Sequence, residues 1–155
     1  MTNQVTVVDN RPQTNVTLQW EGGFKFTASD EYDHQIIVDA PPTKGDHFGG
    51  FKPGELLLTS LAACSGIDIV GILRKQRQKV TSIEIRVEGT QSSDPPWAWE
   101  EVELRYIVRG NNLRESAVDR AVHLSEKKYC SVGATIGAIT EIRSTVEIIE
   151  ECPNQ

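Results

Sequence analysis

The sequence predicts an α+β fold, and three patterns carry that prediction. Several short stretches alternate apolar and polar residues with the period of a strand. One long apolar segment, Leu56 to Leu73, follows a proline placed to start a helix. A second stretch, Leu113 to Leu124, repeats its apolar residues at helical spacing. Strands cluster at both ends of the long helix instead of alternating regularly with helices, which favours α+β over a doubly wound sheet.

Val16, Leu18 and Trp20 alternate with Thr17, Gln19 and Glu21, the signature of a half-buried strand. Gly22-Gly23 supplies a tight turn, and Phe24 and Phe26 begin the return strand of a hairpin. A third strand spans Gln35 to Val38. Residues 39–51, with Pro41-Pro42, Gly45 and Gly49-Gly50, read as a loop. Pro53 then occupies a first helical position, Glu55 suits the positive end of the helix dipole, and Arg74, Lys75 and Arg77 suit the negative end near Gln78. Asp68 and the glycines at 66 and 71 argue against a membrane span, so this helix is expected to be buried on most sides of a soluble core.

Ile83 to Val87 and Val102 to Val108 alternate with charged residues and predict two more strands. Pro95-Pro96-Trp97-Ala98-Trp99 joins them, and its tryptophans are expected to cover the core. Asn112 with Glu115 resembles a capping box for the second helix. Ser131 to Ala138 is small-residue-rich, a short helix or turn. Ile142, Ser144, Val146 and Ile148 close the chain as a strand.

At 155 residues the chain is expected to be one domain, 1–155. A net charge of −6 sets it against binding phosphate backbones. The N-terminus has no basic segment followed by an apolar core, so a cytoplasmic protein with neither membrane nor nucleic-acid partner is expected.

Cys64, Cys130 and Cys152 are too few and too dispersed for a disulfide scaffold or a clustered metal site, and no cofactor is implied. Cys64 sits in Leu61-Ala62-Ala63-Cys64-Ser65-Gly66, where such small side chains allow another backbone to approach closely. It reads either as a small buried hydrophobe or as a reactive thiol. Asp68, one turn further along the same face, would raise a thiol pKa. A helix starting after Cys130 would favour its thiolate. Cys152, beside Pro153 near the C-terminus, reads as a spectator. His47, in the glycine-rich loop, reads as solvated.

The run Pro53-Gly54-Glu55-Leu56-Leu57-Leu58, then Ser60-Leu61-Ala62-Ala63-Cys64, resembles the first-cysteine helix of the OsmC/Ohr family. The likeness includes the Trp20-Glu21-Gly22-Gly23 hairpin and Tyr129-Cys130-Ser131-Val132 at the second-cysteine position. The resemblance implies a swapped homodimer, with antiparallel-rich six-stranded sheets around two long central helices and active sites between subunits. It implies a thiol peroxidase for organic hydroperoxides: Cys64 becomes a sulfenic acid, Cys130 condenses with it to a disulfide, and an external dithiol, lipoyl-type in much of the family, reduces the bond. Peroxidases of the family activate the first cysteine with an arginine and a glutamate. At those positions this chain has Phe24, with Lys25 next, and Gly54, with Glu55 next. Lys25 and Glu55 are therefore the candidate activating charges. The alternative expectation is a non-enzymatic dimer of this fold that binds a small apolar ligand or senses oxidation.

Overall fold

The computed structural model describes residues 12–151; the expectation for Cys152 lies outside them. Two compact units divide the chain, Met1–Pro53 and Gly54–Gln155.

The first unit is an antiparallel meander of β1 (Val16–Gly22), β2 (Lys25–Asp30) and β3 (Gln35–Val38), in the order β1-β2-β3. Gly22 and Gly23 turn the chain with φ of 105° and 55°, a region most side chains avoid, so the glycine pair dictates where the hairpin reverses. The following loop is held by Asp39, whose carboxylate accepts the backbone N–H groups of Ala40 at 2.8 Å and Gly49 at 2.9 Å. The Gly49 bond lowers the Asp39 pKa most; burial opposes it, and the Ala40 bond and the Lys25 charge add smaller lowering effects. Val16, Leu18, Trp20 and Ile36 leave apolar side chains exposed on this unit.

The second unit begins with α1 (Pro53–Lys75), which starts at Pro53 as its φ constraint dictates. It stops a little before Gln78 because Arg77 turns into the left-handed region at φ 54°, and the Gln78 N–H closes back on the Leu73 carbonyl at 3.0 Å. By length and composition α1 could cross a membrane, with a mean hydropathy of 2.0. Yet Leu61, Ser65, Ile69 and Leu73, each four residues apart, form a buried stripe, the placement of a core helix. Burial on most sides does not hold within one chain: Ile67, on another face, is 73% exposed.

That stripe packs on a mixed sheet in the order β4-β5-β6: β4 (Lys79–Gln91), β5 (Trp99–Asn111) and β6 (Glu141–Glu150). Val102, Leu104, Tyr106 and Val108 of β5 point into the core, while Glu101, Glu103 and Arg105 point out. β4 and β5 pair antiparallel, but β6 runs parallel to β5. A parallel neighbour needs a long crossover, supplied here by α2 (Glu115–Leu124), a five-residue π-helical turn (Ser125–Tyr129) and α3 (Ser131–Ile136). The α+β class therefore holds, as two three-stranded sheets with three α-helices among the described residues.

Two local expectations are corrected. Asn112 does not cap α2: it sits at φ 51° and its N–H donates to Glu150, while Arg114 takes the N-cap place without a side-chain cap. The two tryptophans also divide their roles. Trp99 lies against Gly54 and Gly89, where an added Cβ would meet its ring at 3.0 and 2.4 Å, so it covers the core; Trp97 is exposed.

Candidate functional site

Cys64 lies at the middle of α1, beside the buried stripe, and is half-buried. Cys130 arrives from the crossover, 4% exposed, as the N-cap of α3. Both belong to one hydrophobic cluster, and the Cys64 side chain is close enough to perturb the ionisation of Cys130 by hydrogen bonding. The structure thus brings the two cysteines together from positions 66 residues apart in the sequence.

Their meeting depends on the π turn. Wider than an α-helical turn, it is a local departure that commonly marks functional sites. Ser125, at its start, is fully buried. Its Oγ is placed to donate to the Ser65 carbonyl at 3.3 Å and to Asp68 Oδ2 at 3.1 Å, both next to Cys64 on α1. The turn closes when the Cys130 N–H donates to the Ser125 carbonyl at 2.9 Å. Ser125 therefore fastens to α1 the segment that carries Cys130. Asp68 is engaged by this serine, not loose beside the thiols.

The expected helix start is present, with Cys130 as its N-cap, but burial opposes its effect on the thiol. The Gly133 N–H does donate to Cys130 Sγ at 3.2 Å, which stabilises the anion. Burial outweighs it, and with the Cys64 thiol and the Asp68 charge it pushes the Cys130 pKa up to about 11.

Sequence reasoning passed over Tyr106, which it read only as a core position of β5. Tyr106 is 1% exposed, and its hydroxyl has no hydrogen-bond partner among the described residues. The Ser65 hydroxyl beside it gives its own proton to the Leu61 or Ala62 carbonyl, each at 3.1 Å. Burial raises the Tyr106 pKa to about 12; the neighbouring Ser65 side chain opposes the shift, while Glu126 and Cys130 add to it. The available signal was a lone hydroxyl in an otherwise aliphatic stripe.

The remaining candidates sit elsewhere. Glu55 occupies the first turn of α1, nine residues and so about 13 Å along the axis from Cys64, half a turn around the helix. Lys25 opens β2 in the first unit, where its charge acts on Asp39. His47 is exposed in the loop of that unit.

The raised values of Cys130 and Tyr106 predict alkaline sensitivity. Their ordinary values are 9.0 and 10.0, so the folded chain keeps both protons after the unfolded chain has released them. Their stabilising contribution is complete below pH 9 and is lost as the pH rises through about 9 to 12. Urea midpoints are expected to fall across that window, and to fall less steeply in Tyr106→Phe. Equal slopes for the two proteins would refute this.

Residues 43–145 match the family model described as OsmC-like protein. Protein YhfA of Escherichia coli K12 is 33% identical over 132 residues, covering 85% of this chain and 96% of YhfA. A hypothetical protein from Aquifex aeolicus VF5 superposes with a TM-score of 0.82 at 31% identity, covering 92% of this chain and all of that one. A Legionella pneumophila structure described as an organic hydroperoxide resistance protein, OsmC, shares the fold at a TM-score of 0.66 and 16% identity, covering 88% and 97% of the two chains. With the family model spanning most of its length and a relative of this similarity, the chain belongs to the OsmC-like protein family.

Proposed function

We propose that this protein is a thiol-dependent peroxidase that reduces organic hydroperoxides. The observation that carries the reading is the pairing of a half-exposed Cys64 with a buried Cys130. Cys64 thiolate attacks the terminal peroxide oxygen, the O–O bond breaks, and the alcohol leaves with a proton. Cys64 is then a sulfenic acid. The Cys130 sulfur attacks it, a disulfide forms and water departs; an external dithiol, lipoyl-type in this reading, restores both thiols. The fold shared with an organic hydroperoxide resistance protein supports the choice of oxidant. The test is anaerobic stopped flow of the reduced protein with cumene hydroperoxide. Two thiols lost per peroxide, with a Cys64–Cys130 disulfide in the peptide map, is the expected result. Thiol loss no faster than that of a free thiol overturns the reading.

The working unit in this reading is a single domain completed as a cytoplasmic homodimer. Ala62, Ala63, Gly66, Ile67, Val70 and Gly71 line an open groove along α1 with Ile83 and Ile85. Small residues let helix backbones approach closely, and a second copy of α1 is the occupant this reading assigns. Exposed apolar residues on β1 and β3 favour exchange of the first unit's sheet between copies, giving six-stranded sheets. Lys25 and Glu55 enter as charges that the second copy brings toward Cys64. Ile67→Asp is expected to shift the protein from dimer to monomer in sedimentation velocity; an unchanged dimer would refute the use of this face.

A further inference from the structure

Serine and threonine hydroxyls within helices ordinarily bond the carbonyl one turn back in their own helix. Thr59, Ser60, Ser65 and Thr135 do so here, at 2.7, 2.8, 3.1 and 2.9 Å. Ser125 does not. Its hydroxyl crosses to α1, reaching 60 residues back to the Ser65 carbonyl at 3.3 Å and 57 back to Asp68 Oδ2 at 3.1 Å. The residue is fully buried, and its main chain is occupied as well. The Ser125 N–H donates to the Ala121 and Val122 carbonyls, and the Ser125 carbonyl accepts the Cys130 N–H at 2.9 Å.

These bonds join end to end. Cys64 is the chain neighbour of Ser65; the Ser65 carbonyl and the Asp68 carboxylate receive the Ser125 hydroxyl; the Ser125 carbonyl receives the Cys130 N–H. One buried residue thus links the backbone beside one sulfur to the backbone of the other. A hydroxyl carries a single proton, so the two acceptors on α1 share it in turn, and the carboxylate makes the stronger bond. The other groups packed around the two thiols are mostly aliphatic, and their attraction has no direction. Closing a disulfide is more demanding, since the two Cα atoms must lie within about 7 Å. Directional bonds at Ser125 meet that demand.

We propose that Ser125 is the positioning residue of the thiol pair: its bonds to Asp68 and Ser65 hold Cys130 within reach of Cys64 and set how fast the disulfide closes once Cys64 has reacted. The inference rests on the reading of the two cysteines as a redox pair. The step it governs is attack of the Cys130 sulfur on the Cys64 sulfenic acid. The S–S bond forms as the S–O bond breaks, and hydroxide leaves with the Cys130 proton as water. The Cys130 thiol is oxidised, the sulfenic sulfur is reduced, and no further oxidant enters. Ser125 exchanges neither proton nor electron with either sulfur.

The test replaces peroxide with 5,5′-dithiobis(2-nitrobenzoate) on full-length Cys152→Ser protein. Cys64 thiolate breaks the reagent's disulfide, keeps one half and releases one thionitrobenzoate. Cys130 loses its proton to solvent, attacks that mixed disulfide and releases a second. Cys130→Ser should stop at one. In Ser125→Ala the first release is expected within about twofold of the reference and the second slowed at least about tenfold, because small misplacements of reacting groups cost that much. Asp68→Asn keeps an acceptor oxygen and should keep the second release at about half the reference rate or better; Asp68→Ala leaves only the Ser65 carbonyl and should slow it about threefold or more. Val118→Ala, fully buried on α2 but outside these bonds, controls for stability: its urea midpoint should fall while the ratio of second to first release stays within about twofold. A second release within about twofold of the reference in Ser125→Ala overturns the assignment. Equal slowing of both releases overturns it too, as does a matching fall of the ratio in Val118→Ala, because a general loosening would behave that way. Should Ser125→Ala not fold, Asp68→Ala decides: slowing confined to the second release supports the assignment, and no slowing overturns it. Absence of a second release in the reference protein overturns both this inference and the redox pair. Failure of cumene hydroperoxide alone overturns only the peroxidase reading.

Discussion

Replacing Cys64 with serine is expected to abolish peroxide consumption, lowering turnover by about 10³-fold or more. Loss of a covalent nucleophile leaves only what binding and orientation contribute. Serine is nearly isosteric, and Cys64 is only half-buried, so the fold should survive. Cys130→Ser separates the two thiols' roles. It should still consume one equivalent of peroxide, after which the Cys64 sulfenic acid accumulates and is captured by dimedone. Dithiol-driven cumene hydroperoxide consumption measures both variants. A Cys64→Ser protein that retains more than about a tenth of the activity would place the chemistry elsewhere and favour a ligand-binding or oxidation-sensing role.

The second large effect concerns stability. Ile69→Ala is expected to destabilise the fold by about 3–4 kcal/mol, in the upper half of the range for deleting a buried aliphatic side chain. Ile69 is fully buried and sits between Ser65 and Leu73 on the stripe that faces the β5 residues. For a domain of this size the melting temperature should drop by about 10 °C. Calorimetry at fixed protein concentration checks this, and a loss under about 1 kcal/mol would mean that the stripe collapses around the gap. The effect bears on the site as well, because the same stripe includes Ser65, whose carbonyl receives Ser125.

Much of this fold could be read in advance because its signals are local. Pro53 marks the start of α1, Gly22-Gly23 the hairpin, and period-two alternation the inward face of β5. Alternation reports which face a residue takes but not strand direction, so the parallel course of β6 was hidden in Ile142 to Ile148. Asn112 fits a cap by composition, yet the tight passage from β5 to α2 needs a left-handed residue there, and asparagine tolerates that conformation. The resemblance in Ala62-Ala63-Cys64 and Tyr129-Cys130 made both thiols visible as candidates. The upward shift of the Cys130 pKa was not visible, since it depends on burial by segments distant in sequence. Tyr106 escaped notice for the same reason: its burial is a property of the packed chain.

The π turn has a further consequence for how this chain tolerates change. Between Ser125 and Cys130, what must be preserved is the number of residues, more than their identity. After Ser125, whose buried hydroxyl ties the turn to α1, come half-buried Glu126 and the exposed Lys127, Lys128 and Tyr129, which other side chains could replace at the surface. Deleting one residue would return the segment to an ordinary α-helical phase and swing Cys130 by about 100° around the axis, away from Cys64. The segment works as a spacer of fixed length: sequence drift along it is tolerable, but a change of one residue in length would uncouple the two sulfurs.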